Sequence, residues 1–190
     1  CFPARSRTPG NSWTSEDCEM ERVTASRMVE AVTVATGMPG RRIERLARTF
    51  LDTRVWTPSR GRAVARYDAC EVVRLIAAAA FVDVSPDAPE MGERFMALRA
   101  RVEGDGPEIG EVFGGLLGKV PMTLHLHLSA SGLASAMIEC HGEVPAALHF
   151  WTEPTWGAFS RRTFEMSPEG VEVLANTLQN PERSGEALEA

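Results

Sequence analysis

An α+β fold follows from a change of period partway along the chain. Up to about residue 119 the apolar residues recur at helical spacing. From Met122 they alternate with polar ones, and only the stretch after Ser167 returns to the helical period. A third observation gives the N-terminal half its character. Eight arginines crowd between Arg41 and Arg66 against only Glu44 and Asp52, a net +6 inside a chain of net charge −6, so the remainder sums to −12. A basic island in an acidic protein is a localised electrostatic surface, and phosphate is its commonest partner.

The elements follow in order. A first helix is predicted from Ala25 to Thr36, with Thr24 as N-cap, Gly37 as the residue that ends it, and Met28, Ala31, Val32 and Ala35 on one face. A second begins at Pro39, which suits a first helical turn. Its apolar stripe is Ile43, Leu46, Ala47, Phe50 and Leu51; Arg41, Arg45 and Arg48 lie opposite, with Arg42 alongside. Residues 57–62, TPSRGR, carry turn chemistry between Val55-Trp56 and Ala63 to Tyr67, which read as two short strands of a basic-tipped hairpin. Asp68 with Glu71 forms a capping box opening a third helix, Ala69 to about Val82, with Val72, Val73, Ile76 and Ala80 inward. A fourth helix is predicted from about Ala88 to Val102 and a short fifth from Glu108 to Leu117. Met122 to Leu128, Leu133 to Cys140, Ala147 to Thr152 and Phe159 to Met166 read as four strands, and Ser167-Pro168-Glu169 starts a last helix.

Composition bounds the rest. With 44% hydrophobic and 24% charged residues, the 190-residue chain is an ordinary globular protein of one or two domains. No apolar run approaches the roughly 18 residues of a membrane span, so no membrane partner is expected. The four cysteines form no CxxC pair, which points to neither a zinc site nor a disulfide framework and favours a reduced, cytoplasmic protein. Residues 1–19 read as a disordered arm with no apolar signal-peptide core, and residues 180–190 as a disordered tail. The expected division is 20–83, a helical connector 84–119, and an α+β domain 120–179.

Helix, tight turn, arginine-faced helix, basic-tipped hairpin, helix is the order of a winged helix-turn-helix. The full expectation is therefore an N-terminal winged helix-turn-helix with a C-terminal antiparallel β-meander closed by a helix. Such a module presents one helix to the major groove of double-stranded DNA. Arginine supplies paired planar donors for guanine and for phosphate. The candidate DNA-binding residues are Arg41, Arg42, Arg45 and Arg48 on the helix and Arg60 and Arg62 on the wing. A merely solvated face, paired with Glu44 or with the acidic remainder, is the alternative.

Residues 29–77 resemble the DNA-binding domain of the MerR family. The residues that carry the likeness are Thr36-Gly37, Ile43, Arg45, Pro58, Arg60, Arg62, Tyr67-Asp68 and the apolar run Val72 to Ile76. The resemblance covers about a quarter of the chain. It implies a bacterial transcriptional regulator. A weaker likeness to phage-derived regulators and small terminase subunits implies a packaging component that binds DNA and oligomerises. An adaptor whose basic face meets an acidic protein is a third reading. A homo-oligomer through the C-terminal half is expected with either DNA-binding reading, because a single small reader seldom gives enough affinity.

Other signals are weaker. His125 and His127 are two apart on a strand and share a face with the reach of His141 or His149, but no carboxylate or cysteine falls at ligand spacing. Cys140 and His141, adjacent on a strand, point apart and make no nucleophile–base pair. Residues 114–119, GGLLGK, lack the spacing and hydroxyl of a phosphate loop. No catalytic residues, no metal and no cofactor are expected.

Overall fold

The computed structural model describes residues 23–60, 64–82, 85–100, 106–143, 145–151 and 160–179. The expectations for the arm 1–19, for the wing tip with Arg62 and for the tail 180–190 lie outside these residues. The fold is α+β: six helices and a five-stranded antiparallel sheet among the described residues.

Helix α1, Ala25–Thr36, begins as its cap chemistry dictates. The Thr24 hydroxyl accepts a hydrogen bond from the Arg27 amide at 3.3 Å. It ends at Gly37, held in the left-handed region at φ 65°, whose N–H donates to the Thr33 carbonyl. Three residues later α2, Gly40–Asp52, starts. It buries Ile43, Leu46, Ala47 and Phe50, most of the stripe expected of it.

Helix α3, Ala69–Phe81, is the hub. Val72, Val73, Leu75, Ile76, Ala77 and Ala78 are all fully buried. From Leu75 to Phe81 the helix is apolar all round and can only sit inside, and α1, α2, α4 (Ala88–Met96) and α5 (Ile109–Leu116) pack about it. Asp68 caps α3 by accepting from the Cys70 and Glu71 amides. The other half of the expected capping box does not form: the Glu71 carboxylate turns to Arg74, which donates to both its oxygens at 2.7–2.8 Å. An ion pair is stronger than a return bond to one amide, so it takes the carboxylate.

The α3–α5 crossing is close enough to require glycine. A Cβ on Gly110 would lie 2.6 Å from the Cys70 sulfur and 2.8 Å from its Cα. Helix propensity alone favours alanine there by about 1 kcal/mol. The clash is partly with backbone and cannot be relieved by rotating a side chain, so it wins. Gly110→Ala is expected to lower the unfolding free energy by about 1–3 kcal/mol, measured by urea titration; a more stable variant would show the crossing to be loose.

Helix α4 is shorter than its apolar face suggested, ending at Met96 instead of running to Val102. Beyond it, strand β1, Arg99–Ala100, pairs with Trp151 and Phe150 of β4. Leu98 stays fully buried, so the apolar pattern continues while the backbone leaves the helix for a sheet edge.

The remaining strands are β2 (Met122–Ser129), β3 (Ala134–Cys140), β4 (Ala146–Trp151) and β5 (Ser160–Met166), in the order β1-β4-β3-β2-β5. The strands do not form the expected simple meander. β2, β3 and β4 are hairpin neighbours, but β5 returns to the far side of β2, which is Greek-key order. The register explains the choice. β5 sets Met166 opposite Leu124 and Phe164 opposite Leu126, extending the apolar face of the most buried strand.

The inner face carries Met122, Leu124, Leu126, Ala136, Ile138 and Phe150, all buried. Helix α6, Pro168–Gln179, lies on β2 and β5 and packs on its other side against α1. One cluster of buried side chains therefore runs from Val23 to Leu178, and the arginine-bearing helices and the sheet share a core. No helix among the described residues is long and apolar enough to cross a membrane.

Candidate nucleic-acid interface

Burying Ile43, Leu46 and Phe50 forces the opposite face of α2 into solvent, and Arg41, Arg45 and Arg48 occupy it. Their spacing of four and three residues puts them in one row about 10 Å long, comparable with the roughly 12 Å width of the major groove. None of the three makes an ion pair among the described residues, and neither does Glu44, although it lies beside the row. Among the described residues, the pairing with Glu44 that the sequence allowed does not form.

Arg42 has another job. Its guanidinium donates to the Ala79 carbonyl at 3.0 Å and the Val82 carbonyl at 2.8 Å, at the C-terminal end of α3. These are carbonyls that a helix end leaves without intrahelical partners, and a cation there also meets the negative end of the helix dipole. Arg42 thus ties α2 to α3 through one guanidinium nitrogen, Nη2. The row of free guanidinium groups on α2 reduces to Arg41, Arg45 and Arg48.

The segment after α2 departs from the expected hairpin. Val55 and Trp56 form no strand. The Trp56 amide donates back to the Phe50 carbonyl at 3.0 Å, and the indole is buried between Phe50 and Tyr67, with ring centroids 5.2 and 4.8 Å away. A buried tryptophan bends the chain inward where a ladder would have run straight. Tyr67 pairs instead with Val23, through bonds of 2.8 and 2.9 Å, tying this segment to the residue before the Thr24 cap of α1.

Of the residues between those anchors, 57–60, Val64 and Arg66 are exposed, and the two described flanks of this excursion are joined at its base. The Tyr67 hydroxyl donates to the Thr57 carbonyl at 2.8 Å, and the Ala65 amide donates to the Ser59 hydroxyl at 3.0 Å. Arg60 is exposed on it. Arg54 is exposed at the junction between α2 and this excursion. No family model, curated protein or solved structure matches the chain. The MerR-like pattern of residues 29–77 rests on its residues alone.

The outer face of the sheet is the other place where chemistry gathers. His125 and His127 lie there side by side with parallel rings, and the β2–β3–β4 register puts His149 on the same face. The His141 ring nitrogen Nε2 lies 2.7 Å from the Thr123 hydroxyl. Glu139 stands 3.6 Å from Nε2 of His125, and Glu165 stands 3.7 Å from its Nδ1. The two carboxylates address opposite edges of the ring and do not converge. Among the described residues no three His, Cys, Asp or Glu side chains are placed to hold a metal.

This face carries a pH dependence. Burial, then the neighbouring His125, push the His127 pKa below its ordinary value near 6.5. The unfolded chain therefore binds the proton more tightly than the folded one. His127's contribution is fully present above about pH 6.5 and is lost as pH falls through that value toward the lower folded pKa. Thermal melts from pH 7.5 to 5.5 should show a falling midpoint, with a shallower fall in His127→Gln. Equal slopes would remove His127 as the cause.

Proposed function

We propose that this chain is a DNA-binding protein, a MerR-like transcriptional regulator of winged helix-turn-helix type. In this reading α2 enters the major groove, and the excursion after it rests on phosphate. The observation that carries it is the row Arg41, Arg45 and Arg48: three exposed guanidinium groups without ion pairs among the described residues, on a helix whose other face is locked in the core. Supporting it, α1 and α2 are joined by three residues with glycine in the left-handed region, the connection typical of helix-turn-helix units. Arg60 on the excursion adds a second point of contact, and Arg62 belongs to the proposal by its sequence position.

The strongly acidic remainder repels the backbone, so it confines contact to this one surface. A homo-oligomer formed through the C-terminal half is part of the proposal, since paired readers supply the affinity a single one lacks. Binding to a duplex pool is tested by fluorescence anisotropy across a salt series. Affinity should fall steeply with salt, with a log–log slope near −0.9 for each phosphate contacted. Binding with no salt dependence would rule the proposal out. Selection from a random pool then separates a regulator, which enriches a site, from a packaging component, which does not.

A further inference from the structure

Arg54 is the only non-glycine residue among those described with a positive φ, at 60°. The other positive φ values belong to Gly37, Gly118 and Gly132. A side chain with a Cβ is strained in this left-handed region, whereas glycine enters it freely and asparagine at little cost. The conformation has a clear origin. Arg54 follows the last turn of α2, where the chain must reverse so that Trp56 can enter the core, and its own amide donates to the Leu51 carbonyl at 3.1 Å. The fold demands a left-handed residue at this point, but nothing in the fold demands arginine. The side chain is exposed and makes no ion pair among the described residues.

We propose that Arg54 is a phosphate-contact residue, its strain tolerated for binding; this rests on the DNA-binding reading above. Helix-turn-helix readers present the N-terminal part of the recognition helix to base edges. From Arg41 to Asp52 the helix rises about 17 Å, more than the roughly 12 Å width of the groove. With Arg41 and Arg45 seated inside, the C-terminal end of α2 emerges over the flanking sugar–phosphate strand. Arg54 stands there, between the helix and the excursion that carries Arg60. Its contact is to backbone phosphate, so it contributes affinity without sequence preference.

The test compares wild type with Arg54→Gly, Arg54→Asn and Arg54→Lys, by thermal melting and by anisotropy on a 30-base-pair duplex over a salt series. Arg54→Gly should raise the melting midpoint by a few degrees. It should also weaken binding about three- to ten-fold, with the log–log salt slope reduced by about 1. Arg54→Asn, which tolerates the same backbone and removes the charge, should show the same loss of binding. Arg54→Lys should keep the salt slope. Unchanged affinity and slope in both neutral variants, with wild type binding normally, would overturn the inference and leave the DNA-binding reading standing. So would a lower midpoint in Arg54→Gly, which would show that the position is not strained. Absence of salt-dependent binding by wild type would remove both.

Discussion

Arg45→Ala combined with Arg48→Ala is expected to weaken duplex binding at least about thirty-fold while leaving the fold intact. Each guanidinium contact to a base edge or phosphate is worth about 1–3 kcal/mol, so two together remove about 2–6 kcal/mol. The lower bound alone gives the thirty-fold loss. Stability should move by less than about 0.5 kcal/mol, because both residues are exposed and alanine is the better helix former. The comparison with Arg42→Ala is the sharper half of the experiment. That variant leaves the row on α2 intact but strips the Ala79 and Val82 carbonyls of their donor. It should melt earlier, with its folded fraction still binding. Two arginine substitutions on one helix would then separate into recognition and architecture. A double variant that binds like wild type would sink the proposed function, whatever the behaviour of Arg42.

That separation shows where sequence reading stops. Period locates α2 and tells which arginines face outward, because burying Ile43, Leu46 and Phe50 leaves Arg41, Arg45 and Arg48 nowhere else to go. Arg42 sits at the margin of that face, and its role depends on where the end of α3 falls, 37 to 40 residues away in sequence. Periodicity along one helix carries no information about that. The strands show the same limit. Alternation in Met122 to Leu128 fixes which side chains are inward, but not which strand lies on either side. The return of β5 beside β2 depends on a register between distant segments. Val55-Trp56 failed as a strand for a related reason. β-propensity records that tryptophan fits a half-buried sheet surface, and here the core beneath α2 offers full burial instead. Arg54 left one usable sign. A left-handed residue is common just beyond a helix end, but glycine normally signals it, and here arginine stands in its place.

Trp56→Ala is expected to be the most destabilising single substitution in the N-terminal half, costing about 3–5 kcal/mol. The indole is 1% exposed and fills the space between the last turn of α2 and the segment leading to α3. Truncation leaves a cavity walled by Phe50 and Tyr67, and neither ring can follow. Phe50 is fixed by its helix, and Tyr67 by its pairing with Val23 and its bond to Thr57. For a chain of this size the loss lowers the melting midpoint by about 6–20 °C. Glu71 lies in the same region: burial pushes its carboxyl above the usual carboxylate range, while Arg74 pulls it back. Trp56→Phe keeps an aromatic ring and loses the five-membered ring with its N–H, so it should cost well under half as much. A cost equal to that of alanine would mean that a ring stacked between Phe50 and Tyr67 is not what holds the junction. The consequence for binding is specific. Trp56 joins the last turn of α2 to the base of the excursion that carries Arg60. Below its melting range Trp56→Ala should keep the contribution of Arg41, Arg45 and Arg48 and lose that of Arg60 and Arg62. Its salt slope should then fall by about 2, roughly one for each of these two contacts, a signature that global unfolding cannot mimic.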